Sequence, residues 1–428
     1  MRWTVSTLTA SLLGTMWITV AAAQLPRSVS PSAVQITLTE AIEQALARNR
    51  DLTVSRRDIE ISHGKLRQAR RYPFNPELGI EGEAGRGVGR EEPDRRGVGG
   101  GKLGLSQVLE IRGQRGIRVR GAGADLARAE WATQDAEREV IAETTKTFGE
   151  LLVAHERLAL AREALALATS LRDTARSLVD AGSVPEVDLL RTEVEVRRAT
   201  NRVTLDQASV NTGARALALL VDAPPNVLLR PSGSLLLDAG SALPENPAAF
   251  ARENRPDVKA AAADVESAMA ALRLVSAERF VPSVTLSASY GESVEFDSRT
   301  RLALFAVSVP LPLWNRRDGD IQAAEGEIRK REAERDRLFA RIDKEVVTAV
   351  VQFEAARQVV DEYLKRIVPG QEQNAAIVQE GYRLGEFRLT EALLAQRDLI
   401  DARGAYLDAI LNYNTARADL QKAIGARP

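Results

Sequence analysis

An internal duplication constrains the fold of this chain more than any other feature of its sequence. The segment Asn49-Arg50-Asp51-Leu52 returns as Asn254-Arg255-Pro256-Asp257-Val258, and further matches follow in the same order at a spacing of about 205 residues. Such regular spacing predicts two copies of one structural unit. We assign residues 24–221 to the first repeat and residues 248–428 to the second. The stretch at 222–247, in which Pro, Gly and Ser cluster, is the predicted linker between them.

Each repeat begins with helices and continues with strands. The first helix is predicted to begin at the capping box formed by Thr37 and Glu40, which lie three residues apart. Another helical stretch follows in both repeats and ends before Pro76 in the first and Pro282 in the second. Proline stops a helix because it lacks an N–H group and its ring clashes with the preceding turn. We therefore expect a strand to start after each of these prolines.

Two strands are predicted in each repeat, each of about 8 to 10 residues, which is the length of a tilted membrane strand. They lie at residues 77–84, 102–110, 283–290 and 301–311. Apolar and polar side chains alternate along the third strand, as Val284, Leu286, Ala288 and Tyr290 against Thr285, Ser287 and Ser289. This alternation predicts one apolar face and one polar face.

Four strands are too few to close a membrane barrel, which needs at least about 8. Because an open sheet edge cannot face lipid, several chains are expected to share one barrel. Three copies of four strands would give twelve, and a dimer or a tetramer would also give an even number.

A very long helix follows each strand pair, at about residues 117–180 and 321–384. At 1.5 Å per residue each helix would be roughly 95 Å long, far more than an ordinary globular domain requires. Apolar residues form a narrow seam along the second helix, at Ile342, Val346, Val350, Phe353, Ala356, Val360, Leu364 and Ile367. Pro369 is predicted to kink this helix, and Asp318 and Asp320 are predicted to cap its start at Ile321. The predicted fold is therefore mainly α, with a small contribution of strands to a β-barrel.

The first residues and the composition indicate the compartment. An apolar stretch that ends in small residues predicts a secretory signal peptide over residues 1–23, and this stretch is short for the alternative, a membrane anchor. Beyond it no window of about 18 apolar residues predicts a transmembrane helix.

The chain has no cysteine, which excludes disulfides and a lipid-modified cysteine. Its 58 basic and 59 acidic residues are balanced, so no nucleic-acid partner is expected.

The sequence contains no recognisable catalytic or cofactor-binding group. Its two histidines, His63 and His155, lie on separate predicted helices without nearby ligand residues, and His155 is predicted to pack between helices. The Gly-rich stretch that ends at Lys102 lacks the first Gly and the Ser or Thr of a phosphate-binding loop. We therefore expect no enzymatic activity, no cofactor and no metal site.

Two predicted turns between long helices are the candidate functional sites. Gly182 and Gly385 stand where the preceding helix must end, and Asp188 and Glu391 follow near the start of the next helix. The helix dipole favours a carboxylate at such a position. A plain helical hairpin satisfies the same pattern, so the residues by themselves leave a functional role open.

The chain resembles the TolC family of outer membrane efflux proteins over nearly the whole predicted mature sequence. The resemblance rests on residues 38–49 (LTEAIEQALARN), 182–190 (GSVPEVDLL) and 382–393 (YRLGEFRLTEAL). The family implies a homotrimer in the outer membrane. Its strands would form a 12-stranded barrel, which would continue into the periplasm as a barrel of twelve helical rods.

Within the family, residues 106–115 (SQVLEIRGQR) and 309–316 (VPLPLWNR) resemble the strand-to-helix segments of the cation-efflux, CzcC-type branch. This resemblance implies a duct for divalent cations such as cobalt, zinc, cadmium, nickel or copper. It also implies a periplasmic adaptor and a proton-driven inner-membrane pump of the RND type as partners, with outer membrane lipid around the barrel. A TolC-like duct for organic compounds or antibiotics, and a periplasmic coiled-coil scaffold without a pore, are the alternatives.

The resemblance further implies where the channel closes. Asp188, Glu391 and Tyr382 match positions at the periplasmic tip that shut the entrance. The hairpins on which the adaptor docks match Gly182, Ser183, Val184 and Pro185 in the first repeat, and Gly385, Glu386, Phe387 and Arg388 in the second. The sequence departs from the family where Val184 and Phe387 replace a gating Arg, and where Arg191 and Leu394 replace a gating Asp. A different latch is therefore expected.

Overall fold

The computed structural model describes residues 32–86, 97–224, 226–237, 244–281, 283–295 and 298–425, so the predicted signal peptide and Pro282 lie outside it. The elements of the first half are β1 (Ser32–Ile36), α1 (Leu38–Arg48), α2 (Arg50–Arg70), β2 (Glu77–Arg86), β3 (Gly97–Glu110), α3 (Gln114–Asp180) and α4 (Glu186–Leu220). Those of the second half are β4 (Val227–Pro231), α5 (Pro247–Asn254), α6 (Pro256–Ala277), β5 (Ser283–Glu295), β6 (Ser298–Ser308), α7 (Asp318–Glu362), a π-helical segment (Tyr363–Ile367), α8 (Val368–Leu384) and α9 (Leu389–Ile424).

The predicted fold class, mainly helical with a small contribution of strands and a long helical hairpin in each half, is confirmed. Each half has the two predicted strands and one further short strand, β1 or β4. The limits of the two repeats and of the linker stay a prediction. One described element, β4, lies inside the stretch at 222–247 that we assign to the linker.

The first helix begins where the sequence supplies a cap. The N–H of Thr37 donates to Glu40 Oε2 at 2.9 Å, and the N–H of Glu40 donates to Thr37 Oγ1 at 3.3 Å. The predicted capping box is therefore confirmed. Asn49 then ends α1 and begins α2, because its side-chain oxygen accepts a hydrogen bond from the N–H of Asp51 at 2.9 Å.

The strands β2, β3, β5 and β6 form one antiparallel sheet in that order. Leu78, Leu105, Ala288 and Phe305 lie opposite one another across the four strands, and the next position along carries Glu77, Ser106, Ser287 and Ala306. Because successive side chains of a strand point to opposite faces, β2, β3 and β5 have an apolar face and a polar face at these positions, as the alternation predicts. On β6, Leu302 and Leu304 lie on the polar face, so the separation does not extend to this outer strand. Among the described residues, the outer strands β2 and β6 each pair on one side only.

The strands differ from their predicted limits at both ends. Near the hairpin loops they are longer, since β3 begins at Gly97 and β5 reaches Glu295. Glycine has a weak strand preference, but pairing with β2 and β5 on both sides holds this stretch extended. At the other end, β6 stops at Ser308 rather than at Leu311. Pro310 lies within the missing part, and proline has no N–H with which to continue a ladder.

The long helices differ between the two halves. The helix α3 is continuous over 67 residues, as predicted, whereas its counterpart is divided by the π-helical segment Tyr363–Ile367. Pro369 lies just beyond this segment and cannot donate a hydrogen bond to the carbonyl of Lys365. The irregularity that we expect at Pro369 therefore lies in the preceding turn, where the backbone widens to π-helical bonding.

The start of α7 also differs from the prediction. Asp318 is the first residue of the helix, and Arg317 precedes it with a left-handed backbone (φ 56°) and without a side-chain cap. The prediction that Asp318 and Asp320 cap a helix beginning at Ile321 is wrong, because the helix extends almost one turn further toward the N-terminus. Both carboxylates lie in the first turn, where the helix dipole favours them. Asp318 also accepts a hydrogen bond from Arg279 at 2.6 Å.

The helix α3 lies at the centre of the fold and packs against α2, α4, α6 and α9. One core cluster contains the buried side chains of Leu52, Phe148, Leu151 and Leu217. A parallel pair of strands, β1 and β4, contributes to this cluster and is absent from the predictions. Nearby, His155 is half-buried on α3, where burial first, and then the Arg230 and Arg162 charges, lower its pKa.

A second core cluster joins α5, α7 and α9 around Ala251, Ile342, Val346, Phe353, Leu420 and Ile424. Part of the predicted seam of the second long helix therefore packs inside the chain. No helix in the described ranges is both long and apolar enough to cross a membrane.

Candidate functional site

The turn between α3 and α4 has the hydrogen bonds of a Schellman motif. Gly182 has a left-handed backbone (φ 71°), and its N–H donates to the carbonyl of Val179 at 2.8 Å. The N–H of Ser183 reaches back to the carbonyl of Leu178 at 2.9 Å. Glycine adopts this backbone conformation without a Cβ clash, so Gly182 ends α3 as predicted. Pro185 then directly precedes α4.

The turn between α8 and α9 repeats this geometry. Gly385 has φ 80°, its N–H donates to the carbonyl of Tyr382 at 3.1 Å, and the N–H of Glu386 donates to the carbonyl of Gly381 at 2.8 Å. The next helix is capped by Glu391, whose carboxylate accepts a hydrogen bond from the N–H of Arg388 at 2.7 Å. Glu391 therefore acts on the backbone of its own turn.

Phe387 fixes the shape of this second turn by packing against Gly381. A Cβ added to Gly381 would overlap the Phe387 ring, so only glycine permits this approach. Gly381 is not among the residues predicted from the sequence. The signal that could have found it is a second glycine one turn before Gly385.

A small apolar cluster connects the two turns. Tyr382 is only 5% exposed and packs with the buried residues Leu171, Leu389 and Ala392, so that α3, α8 and α9 meet here. The Tyr382 hydroxyl has no hydrogen-bond partner in the described part of the chain. Burial raises the pKa of Tyr382, and the nearby Asp188 carboxylate raises it further.

The three predicted gate residues thus have different surroundings. Asp188 of α4 raises the pKa of Tyr382 of α8 through its charge, in addition to the larger effect of burial, and it forms an ion pair with Arg191 at 3.3 Å. Glu391 is held instead at the start of α9. Among the residues predicted to form the docking hairpins, Val184 is half-buried and the others are exposed: Gly182, Ser183, Pro185, Gly385, Glu386, Phe387 and Arg388. The two hairpins therefore present a largely accessible surface beside a buried tyrosine.

Within the described ranges, no group of three or more His, Asp and Glu side chains is placed to hold a metal ion. The arrangement at the turns consists of a phenol, carboxylates, an arginine and apolar contacts. Such groups can form or break a closure through hydrogen bonds and charge pairs between helices.

Comparison with known proteins identifies related sequences and folds. The sequence matches the family described as "Outer membrane efflux protein" over residues 41–222 and 250–426. It is 26% identical to the cobalt-zinc-cadmium resistance protein CzcC of Cupriavidus metallidurans, over 91% of this chain and 90% of that protein. It is 24% identical to the solvent efflux pump outer membrane protein SrpC of Pseudomonas putida, over 91% of this chain and 85% of that protein.

Solved structures with the same fold include two channels. The outer-membrane channel OprN has a TM-score of 0.77 and 20% identity, with 91% of this chain and 90% of that chain covered. CusC, whose structures describe transmembrane channel formation, has a TM-score of 0.76 and 17% identity, with 91% and 92% covered.

Proposed function

The chain belongs to the outer membrane efflux protein family and is an outer membrane efflux channel, and we propose that it exports divalent heavy-metal cations. In this proposal it is a homotrimer and a passive exit duct. A periplasmic adaptor would connect it to an inner-membrane pump of the RND type, which would supply the energy.

The observation that carries the proposal is the four-stranded sheet. Its strands β2, β3 and β5 have an apolar face and a polar face, and the outer strands β2 and β6 are each unpaired on one side within the described chain. A sheet of this kind is suited to a membrane when several copies close it, with the apolar face toward lipid and the polar face toward water. Three copies of four strands give twelve, and the long helices would extend the same passage into the periplasm.

The likeness to a cobalt-zinc-cadmium resistance protein supports a metal cargo. A duct wall need not bind what passes through it, so the preference for metals would reside in the pump. The likeness to a solvent efflux protein supports a second candidate cargo, organic compounds.

Cargo can be tested by deleting the gene in its host and restoring it on a plasmid. We expect the deletion to lower the tolerated concentration of at least one divalent metal salt, and the plasmid to restore it, while tolerance of toluene stays unchanged. The opposite pattern would favour the organic cargo. A pore-free scaffold would be indicated if well-folded protein formed no channels in planar bilayers.

The two interhelical turns are the proposed gate and adaptor-docking region at the periplasmic end. The gate would use Tyr382 and Asp188, whose charge acts on the tyrosine, with Glu391 holding the second turn in shape. Docking would use the exposed hairpin residues. The unpartnered hydroxyl of Tyr382 supports this role, because a buried polar group gains from a partner that a neighbouring chain can offer.

Single-channel conductance tests the gate. We expect Asp188→Ala to raise the conductance or open time of the purified protein, because the carboxylate forms an ion pair with Arg191 and its charge acts on Tyr382. Glu186→Ala is the matched control, since Glu186 lies in the same first turn of α4 and is exposed. Equal changes of conductance in the two variants would contradict a specific role of Asp188 in the gate, since loss of any negative surface charge would then explain the effect.

A further inference from the structure

A strongly basic region, which we call the junction collar, lies where the sheet meets the helices. It consists of the segments that join them, residues 70–77, 108–120, 278–281 and 309–320. These segments contain nine arginines and five acidic residues, a net charge of +4, whereas the whole chain carries −1. Such a separation of charge indicates a surface for an anionic partner.

Three arginines of the collar have carboxylate partners of their own. The pairs are Arg118 with Glu110 at 2.8 Å, Arg279 with Asp318 at 2.6 Å, and Arg317 with Glu278. The other two acidic residues of the collar, Glu77 and Asp320, form no ion pair within the described residues. The arginines therefore outnumber the carboxylates that bind them.

Six arginines of the collar have no carboxylate partner in the described part of the chain, and all six are exposed: Arg70, Arg71, Arg112, Arg115, Arg120 and Arg316. Contacts of another kind fix two of them. Arg115 donates to the carbonyl of Arg70 at 2.9 Å, and the Arg112 guanidinium lies over the Phe280 ring, 5.7 Å from its centre. A guanidinium has five N–H donors and binds a phosphate group through two parallel hydrogen bonds.

Exposed aromatic side chains lie in the same collar. Trp314 is 92% exposed and stands two residues before Arg316. Tyr72 and Phe74 are exposed too and pack edge to face, with ring centres 6.3 Å apart, and the Phe280 ring is also exposed. Tryptophan and tyrosine are enriched where the hydrocarbon of a bilayer meets water, because each ring has an apolar body and a polar group.

The apolar face of β3 and β5 continues to this collar. Leu109 lies opposite Val284, on the same face as Leu105, and Arg112 follows three residues after Leu109. In the proposed function this face contacts lipid, and the helices extend into the periplasm. The collar would then lie where the hydrocarbon of the periplasmic leaflet ends and the phosphate groups of its phospholipids begin.

The other end of the sheet differs in its charges. Arg299 and Arg301 of β6 share the Glu292 carboxylate of β5, at 3.5 and 3.4 Å. These two arginines therefore have a partner inside the chain. Among the side chains described at the two ends of the sheet, arginines without a carboxylate are concentrated at the end that joins the helices.

We propose that the junction collar binds anionic phospholipids of the periplasmic leaflet through their phosphate groups. Arg71, Arg112 and Arg316 are the principal donors, one from each of three joining segments. The inference rests on the proposed function for the place of the collar in the membrane, and it adds a preference for one class of lipid. An arginine close to an anionic membrane surface contributes about fivefold in affinity.

The fluorescence of Trp314 reports on lipid at the collar. The predicted mature chain, from residue 24, contains two tryptophans, so Trp131→Phe leaves Trp314 as the single reporter. This variant is placed in phosphatidylcholine vesicles that contain either brominated phosphatidylglycerol or brominated phosphatidylcholine, since bromine quenches tryptophan on contact. We expect the association constant of phosphatidylglycerol, obtained from the quenching, to be at least about fivefold that of phosphatidylcholine.

Two matched variants test which arginines cause the preference. The collar variant combines Arg71→Gln, Arg112→Gln and Arg316→Gln. The control variant removes three exposed arginines of α4 and α7 that have no ion pair in the described chain, as Arg197→Gln, Arg215→Gln and Arg357→Gln. Both variants lose the same charge. We expect the ratio of the two association constants to fall to about 1 in the collar variant and to stay unchanged in the control.

Three results would overturn the proposal. The first is equal association constants of the two lipids for the unmodified collar, a measurement that does not depend on whether the variants fold. The second is a preference that survives in the collar variant or is lost equally in the control. The third is displacement of the lipid by inorganic phosphate but not by sodium chloride of the same ionic strength, which would reveal a site for free phosphate.

Conductance in planar bilayers separates failure of the collar from failure of the proposed function. Channels that conduct, without any lipid preference at Trp314, would refute the collar and leave the duct intact. Protein with its full helical circular dichroism signal that forms no channels and is quenched by neither lipid would refute both. Conducting channels with a preference for phosphatidylglycerol that only the collar variant loses are the result we expect.

Discussion

Replacement of Arg255 by methionine should destabilise the fold far more than loss of an ordinary surface charge. The Arg255 side chain is only 4% exposed and donates hydrogen bonds to three groups. Two go to the Asp257 carboxylate at 3.0 and 2.6 Å, one to Glu345 at 2.8 Å, and one to the carbonyl of Ala423 at 3.1 Å. The Ala423 carbonyl lies in the last turn of α9, so Arg255 also complements the negative end of that helix dipole.

The size of the effect follows from what would remain without the guanidinium. Removing one partner of a buried ion pair costs about 3–5 kcal/mol, since the other partner stays buried and uncompensated. Asp257 would still have an ion-pair partner, the guanidinium of Arg138, at 4.0 Å. The Glu345 side chain is 42% exposed and would be solvated by water. We therefore expect the lower end of that range, about 3 kcal/mol.

The repeat offers a matched control for this experiment. Arg50 stands in the corresponding segment of the first half, but its side chain is 80% exposed and pairs only with Asp222 at 2.9 Å. Arg50→Met should cost no more than about 1 kcal/mol, as for other exposed ion pairs. Helical circular dichroism during thermal or urea unfolding in detergent would compare both variants with the natural protein.

The comparison is decisive because both variants remove one arginine from the same repeated segment. We expect the apparent unfolding midpoint to fall by several degrees for Arg255→Met and to stay nearly unchanged for Arg50→Met. Arg255→Lys should lie between them, since lysine keeps the charge and loses the planar set of donors. Equal midpoints for Arg255→Met and Arg50→Met would show that the buried network contributes little.

Two further predictions concern charge. The polar face of the sheet carries Glu77, Glu81 and Glu83, and Lys102 pairs with Glu81 at 2.7 Å. Combining Glu77→Gln with Glu83→Gln should therefore bring the cation-to-anion permeability ratio, read from reversal potentials in a salt gradient, toward about 1. An unchanged ratio would contradict a lumenal position of this face. Burial first, and then the charges of Arg230 of β4 and Arg162 of α3, lower the pKa of His155 in the fold. Stability should therefore fall as the pH drops below the unfolded pKa of about 6.5, because the unfolded chain binds the proton more readily. His155→Gln should weaken the part of the acid dependence measured between about pH 7.5 and 5.5, and an unchanged pH profile would contradict this.

Much of the architecture could be predicted because its signals are local. The alternation along residues 283–290, the helix stops at Gly182 and Gly385 and the capping box at Thr37 each depend on neighbouring residues. The repeat added a check, since the same order of elements is predicted in both halves.

Elements that depend on distant partners could not be predicted. The glycines that begin β3 are extended because strands on both sides hold them, and β1 pairs with β4 almost two hundred residues away. At the candidate site, the sequence indicated the turns, and the family resemblance indicated Tyr382. The packing of Phe387 on Gly381 and the burial of Tyr382 with Leu171 and Leu389 depend on how the helices meet.

The repeated segment at Asn49 and Asn254 shows both contributions. Its recurrence is a property of the sequence, and it predicts two structural units. The structure shows that Asn49 donates to the carbonyl of Leu220 at 3.3 Å, whereas Arg255 donates to the carbonyl of Ala423 at 3.1 Å. Each segment thus binds the end of the helix that returns to it, through a different side chain. Only the tertiary structure decides this, because a terminal helix carbonyl can be satisfied by any donor that packing brings within reach.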